Sequence, residues 1–175
     1  IPIHKGRCDL GIWQGIFPDL KIIHIYRHPL DVALSLRKRE REYRSRFRLG
    51  MLAKIKQKAL KGKIGYVSSL RGMELTEGIR MWEEYVSAAL KLKTANSDRM
   101  IDFKYEDFIA DPGKQVRKLS AFLGLPGGRE EIERAVSRID PSRRYAFQSD
   151  PEMRHFCEQI KDRDTVVKLG YQRLP

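Results

Sequence analysis

Long apolar runs are missing from this 175-residue chain. No stretch approaches the ~18–20 residues that a helical membrane span requires, so no membrane span is expected. Cysteine is scarce: Cys8 and Cys157 could close one bridge at most, which excludes a disulfide framework. Two free thiols in a reducing, cytoplasmic setting are the expectation. His, Cys and acidic residues nowhere fall at metal-ligand spacing, and no metal centre is expected. Internal repeats and low-complexity tracts are absent. So is the Gly-x-x-x-x-Gly-Lys-Ser/Thr loop that wraps nucleotide phosphates; Gly113-Lys114 is the nearest dipeptide, but Gln115 follows and a helix start precedes it. The opening, Ile1-Pro2-Ile3-His4, has neither an initiator Met nor a charged-then-apolar leader pattern, and is read as a cut with further sequence expected upstream.

Positive charge is what the chain has in excess. The net charge is +12, and residues 37–63 carry 12 Lys/Arg against Glu40 and Glu42, so nearly all of the excess sits in one segment. A uniformly basic surface points to nonspecific nucleic-acid binding. A single concentrated segment points to an arm or lid beside an anionic ligand, or simply to a solvated helix face. The aromatic residues there, Tyr43, Phe47 and Tyr66, follow a helix stripe and not the pattern of base-stacking platforms. The apolar (41%) and charged (33%) fractions are those of an ordinary globular domain, here one domain over 1–175 with residues 37–72 as a basic helical insertion or lid.

Periodicity divides the chain into strands and helices. Leu10, Trp13, Ile16 and Phe17 predict a short amphipathic helix over 8–17 that stops at Pro18. Residues 21–26, Lys-Ile-Ile-His-Ile-Tyr, have the pattern of a buried parallel strand. Pro29 follows at a first helical position, with Asp31 in the first turn. A strong amphipathic helix is predicted over 74–95, a second strand over 100–105, and a helix from Asp111-Pro112 to Gly124 with Val116, Leu119, Phe122 and Leu123 as its buried face. Further helices are expected near 129–138, 151–160 and 163–169. Strands separated by helices define an α/β fold with a parallel sheet, helix-rich in its C-terminal half. Two strands do not make a satisfied sheet, so additional strands are expected on the N-terminal side.

Arg27 falls at the C-terminal end of the first strand, where open α/β sheets place ligands. Its guanidinium presents a fork of donors that matches a phosphate dianion. The following helix is expected to aim open N–H groups at the same point, and Ser35, two turns along, can add a hydroxyl. The alternative is an Arg27 that pairs with Asp31 and a Ser35 that bonds back to its own helix.

The stretch Arg27-His28-Pro29-Leu30-Asp31-Val32-Ala33-Leu34-Ser35 is similar to the 3′-phosphate motif of sulfotransferases that use 3′-phosphoadenosine 5′-phosphosulfate (PAPS). Residues 16–21 (Ile-Phe-Pro-Asp-Leu-Lys), Tyr105-Glu106-Asp107-Phe108, Asp111-Pro112, Phe122-Leu123-Gly124 and Leu169-Gly170-Tyr171 resemble other segments of that family in the same order. The resemblance implies a partial three-layer parallel sheet of the P-loop nucleotide-binding type. It implies sulfuryl transfer from PAPS to an acceptor hydroxyl or amine, leaving adenosine 3′,5′-bisphosphate. Arg27 and Ser35 would hold the 3′-phosphate, and Tyr105 would lie near the nucleotide. The family's loop for the 5′-phosphosulfate has no counterpart in the chain and is expected upstream, which would leave the isolated piece inactive. Many members place a catalytic His about two dozen residues before the motif; His4, 23 positions before Arg27, is the positional candidate, against a surface or strand His. Arg143 and Arg144 could close over the donor phosphates or form a surface turn. Trp82 could contact the acceptor or belong to the core. The competing classes are a basic polyanion- or nucleic-acid-binding module, although no specific nucleic-acid partner is expected, and a nucleotide-binding relic without activity.

Overall fold

The computed structural model describes residues 10–49, 70–126 and 128–173. His4, Cys8 and the segment 50–69 of the basic insertion lie outside the described residues. In chain order the elements are α1 (Leu10–Ile16), β1 (Ile22–Tyr26), α2 (Pro29–Leu49), a 3₁₀ turn (Leu70–Met73), α3 (Leu75–Ala95), β2 (Met100–Lys104), α4 (Tyr105–Ala110), α5 (Pro112–Leu123) and α6 (Arg129–Val136). Two 3₁₀ turns (Pro141–Arg143 and Ala146–Ser149), α7 (Pro151–Ile160) and α8 (Asp164–Lys168) complete the fold. The architecture is α/β and rich in helix, with a small parallel sheet.

Strands β1 and β2 pair in register from Ile22↔Met100 to Tyr26↔Lys104. At mid-strand His24 Nδ1 donates to Asp102 Oδ1 at 3.0 Å, and Lys93 on α3 reaches the other carboxylate oxygen at 2.5 Å. The buried-strand pattern of β1 is realised only in part. His24 and Tyr26 are half-buried on one face, whereas Ile23 and Ile25 on the other remain exposed, Ile25 by 60%. The physical reason is that β2 is the one strand beside β1 among the described residues, and nothing described there covers that face. Helix α1 forms as its spacing predicts, yet Ile12, Trp13 and Ile16 are also exposed.

The core sits at the other side of β1, where α2 and α3 pack against the C-terminal elements. Leu30, Ala33, Ile79, Trp82, Val86, Phe147, Met153, Val166 and Tyr171 form one cluster, and Tyr26 packs against it. Full burial of such side chains contributes ~1.5–3 kcal/mol each. The α2–α3 contact is close because Gly78 faces Ala33: a Cβ at Gly78 would stand 3.0 Å from the Ala33 Cβ and 3.2 Å from its Cα. Two predicted terminators act as the sequence indicates. Asp111 accepts from Lys114 N at 3.0 Å to start α5, and Gly124 ends it at φ 71°, a left-handed conformation that glycine adopts without steric cost. The expected apolar face of α5 is half-buried, with none of its residues fully inside.

Candidate functional site

The turn from β1 into α2 is built around Arg27 and His28. Arg27 extends from the strand end with its side chain 26% exposed. Its Nε and Nη2 both reach Asp31 Oδ2, at 3.0 and 2.9 Å, one helical turn further on. Nη2 also donates to the Arg143 carbonyl at 2.7 Å. The guanidinium lies 4.6 Å from the centre of the Tyr105 ring, in cation–π range. Nε and Nη2 are thus committed, Nη2 to two acceptors, and Nη1 has no hydrogen-bond partner among the described residues. The Asp31 pairing foreseen as an alternative to an anion site is present, and it orients the same side chain that would bind the anion.

Asp31 is buried and does double duty. Its Oδ1 accepts from Phe147 N at 2.9 Å, which draws the late loop down onto the strand end. The loop can make that approach because Tyr145 takes a left-handed conformation, φ 50°, uncommon for a residue other than glycine. Burial raises the Asp31 carboxyl above its ordinary range, partly offset by the Arg27 charge and by hydrogen bonds from Phe147, Arg27 and Ala146.

The start of α2 differs from the open N–H cradle that the sequence suggests. His28 N donates to Glu106 Oε1 at 2.8 Å, and Leu30 N donates to His28 Nδ1 at 3.3 Å, while Pro29 has no N–H. The His28 and Leu30 N–H groups are therefore satisfied internally, which narrows the cradle. His28 itself is 0% exposed, stacked on Phe147 at 4.3 Å and edge-on to Tyr171 at 5.0 Å. With Nδ1 accepting, its proton sits on Nε2, 3.8 Å from the Cys157 sulfur. Burial first, then the Lys104 and Arg27 charges, push its pKa down to about 3. Burial likewise pushes the Cys157 thiol up to about 11, so it is an inert packing residue.

The other candidates fall in different places. Ser35 is exposed on α2, four residues after Asp31 and hence on the same helix face as the Arg27 partner. Arg143 and Arg144 are exposed on the late loop, whose Arg143 carbonyl meets Arg27; Arg143 Nε is 3.5 Å from Asp140, and Arg144 lies over the Tyr145 ring at 5.5 Å. Trp82 is 4% exposed, in the core, with Nε1 donating to the Arg27 carbonyl at 2.9 Å. Glu106, which the sequence reading passed over in favour of its neighbour Tyr105, is fully buried between His28 N and the Tyr171 hydroxyl, 2.7 Å away. Its position inside Tyr105-Glu106-Asp107 was the available signal: an acid directly after an apolar strand invites the question of what it pairs with. Among the described residues no three His, Cys, Asp or Glu gather as a metal site, and no helix is long and apolar enough to cross a membrane.

A parallel strand ending in an oriented arginine, overhung by a basic loop, defines an α/β protein whose strand-to-helix turn presents a guanidinium at the end of its sheet. The model of the Sulfotransferase family matches residues 9–130, and the chain belongs to that family. Membership supports a transferase that moves a sulfuryl group to an acceptor substrate. Arg27, Ser35, Trp82, Tyr105 and Glu106 lie within the matched stretch, whereas Arg143, Arg144, Phe147 and Tyr171 lie beyond it. No curated protein and no solved structure matches the chain.

Proposed function

We propose that this protein transfers a sulfuryl group from PAPS to an acceptor hydroxyl or amine, and that this chain supplies the 3′-phosphate half of the donor site within a P-loop-type sheet. The observation that carries the reading is the oriented, half-exposed Arg27 at the strand end, with Nη1 open. Because Asp31 already neutralises Arg27, a phosphate dianion needs further positive charge, and Arg143 and Arg144 stand on the loop that touches Arg27. Ser35 contributes a hydroxyl from the helix face shared with Asp31, and Tyr105 offers a ring beside the nucleotide. PAPS supplies the sulfuryl group when bound; the residues of this chain bind and orient it. In-line transfer depends on such positioning, worth several kcal/mol of barrier in general. His4 is the candidate general base for the acceptor. Residues 37–72 would form a lid or acceptor wall, begun by α2 itself. We place the reaction in the cytoplasm, in keeping with the buried Cys157 thiol.

The deciding experiment is calorimetry of adenosine 3′,5′-bisphosphate binding to the full-length protein and to Arg27→Ala. Loss of a charge-assisted contact worth ~1.5–3 kcal/mol predicts a roughly 10- to 150-fold weaker affinity. Unchanged affinity would remove Arg27 from the site.

A further inference from the structure

The peptide bond that joins Arg27 to His28 is gripped at both ends by side chains from elsewhere in the fold. Its carbonyl oxygen accepts from Trp82 Nε1 of α3 at 2.9 Å, and its N–H donates to Glu106 Oε1 of α4 at 2.8 Å. This peptide lies just past Tyr26↔Lys104, the last register pair of the sheet, and just before the first residue of α2. Side chains therefore take over at the point where ladder and helix bonds are not available. Both are inside the protein, Trp82 at 4% exposure and Glu106 at 0%, and Glu106 is braced from behind by the Tyr171 hydroxyl at 2.7 Å.

The ψ of Arg27 and the φ of His28 form the hinge between β1 and α2. Rotation of this one peptide plane swings α2, with Asp31 and Ser35, relative to the strand end that carries Arg27. A buried carboxylate is expensive to desolvate unless it is hydrogen-bonded, and here the bonds go to the hinge and to the brace. Resting on the reading of Arg27 as the 3′-phosphate ligand, we propose that Trp82 and Glu106 are positioning residues: they lock the Arg27–His28 peptide and thereby set the spacing of Arg27 against Asp31 and Ser35. Neither residue touches the donor. Their effect is specific to the 3′-phosphate, because the hinge they hold controls only the groups that meet it.

Trp82→Phe in the full-length protein keeps the ring in the core and deletes the single donor to the Arg27 carbonyl. Affinity is read for two probes, adenosine 3′,5′-bisphosphate and adenosine 5′-phosphate, which lacks the 3′-phosphate. The expected result is about a 3- to 10-fold loss for the bisphosphate, the range of one neutral hydrogen bond, with the 5′-monophosphate unchanged. In an Arg27→Ala background the same substitution is expected to have no further effect. Equal losses for both probes, or undiminished selectivity for the bisphosphate, overturn the proposal. Glu106→Gln is the companion variant: its amide oxygen still accepts from His28 N, so selectivity should be largely kept, whereas Glu106→Met should lower it as Trp82→Phe does. Should Trp82→Phe not fold, this Gln/Met pair decides the matter, and equal selectivity in the two overturns the proposal. Failure of the parent reading looks different: Arg27→Ala would then leave bisphosphate affinity intact whatever the hinge variants do.

Discussion

At the scale of single residues, the site depends on which protons and charges are confined inside. Arg27 is the clearest case, because its pairing with Asp31 and the Arg143 carbonyl occupies Nε and Nη2 and leaves Nη1 without a partner among the described residues. Arg27→Lys is accordingly expected to recover only part of the affinity lost in Arg27→Ala, since one ammonium cannot hold Asp31 and a phosphate in the same fixed plane. His28 carries a prediction about acid. Its folded pKa of about 3 lies below the ordinary value of 6.5, so the folded state resists the proton that the unfolded chain accepts. The stability it contributes is complete above pH ~6.5 and is lost as pH falls toward 3, by up to ~4 kcal/mol for a group this buried. Asp31 acts in the opposite sense: its raised carboxyl pKa is a cost at neutral pH that acid relieves. Melting temperature against pH for the parent and for His28→Asn, which retains an acceptor for Leu30 N, should therefore converge toward pH 3, the parent losing more on the way. Parallel curves would show that His28 takes up its proton as readily in the folded state as in the unfolded chain.

Among the elements, the contact between α2 and α3 decides whether Trp82 can reach the strand end at all. Gly78 is what lets the helices approach, with Ala33 filling the space a Cβ would need. Gly78→Ala sets a helix-propensity gain of ~1 kcal/mol against overpacking of ~1–3 kcal/mol. The second term wins because the obstacle includes the Ala33 backbone, and a net loss of ~1 kcal/mol, about 2–4 °C in Tm, is expected from thermal unfolding. A rise in Tm would mean that α2 and α3 can separate at no cost. Beyond Ser35, Lys38 and Arg41 are exposed on α2, the helix that starts beside Arg27. If this basic stretch draws in an anionic substrate, the attraction is long-range and screened beyond ~8 Å at physiological salt. Lys38→Glu with Arg41→Glu should then lower kcat/KM several-fold at low salt and much less at high salt, with Tm nearly unchanged. Identical kinetics at both salt levels would assign the charge to solvation alone.

Over the whole molecule, the boundary between what could be read in the chain and what needed the fold follows the range of the interactions. Local chemistry was legible: the β-branched run of β1, Pro29 at the head of α2, the Asp111 cap, Gly124 at the end of α5, and Arg27 with Ser35 in a motif similar to that of a family to which the chain belongs. These signals are carried by residues within a turn or two of one another, where backbone geometry alone sets who meets whom. Burial was legible only where both sides of an element are covered, which is why Ile23 and Ile25 suggested a buried strand and are exposed instead. What the tertiary structure decided is the partner of each polar group at the strand-to-helix turn. Trp82 and Arg27 are 55 positions apart, Glu106 and His28 are 78 apart, and Asp31 and Phe147 are 116 apart. No periodicity encodes such pairs, because hydrogen bonds across that separation exist only after apolar packing has brought α3, α4 and the late loop to one place. For the same reason the N-terminus of α2 looked fully open in sequence and is partly closed in the fold: Leu30 N finds a local acceptor in His28, but only the packed core determined that His28 N meets Glu106.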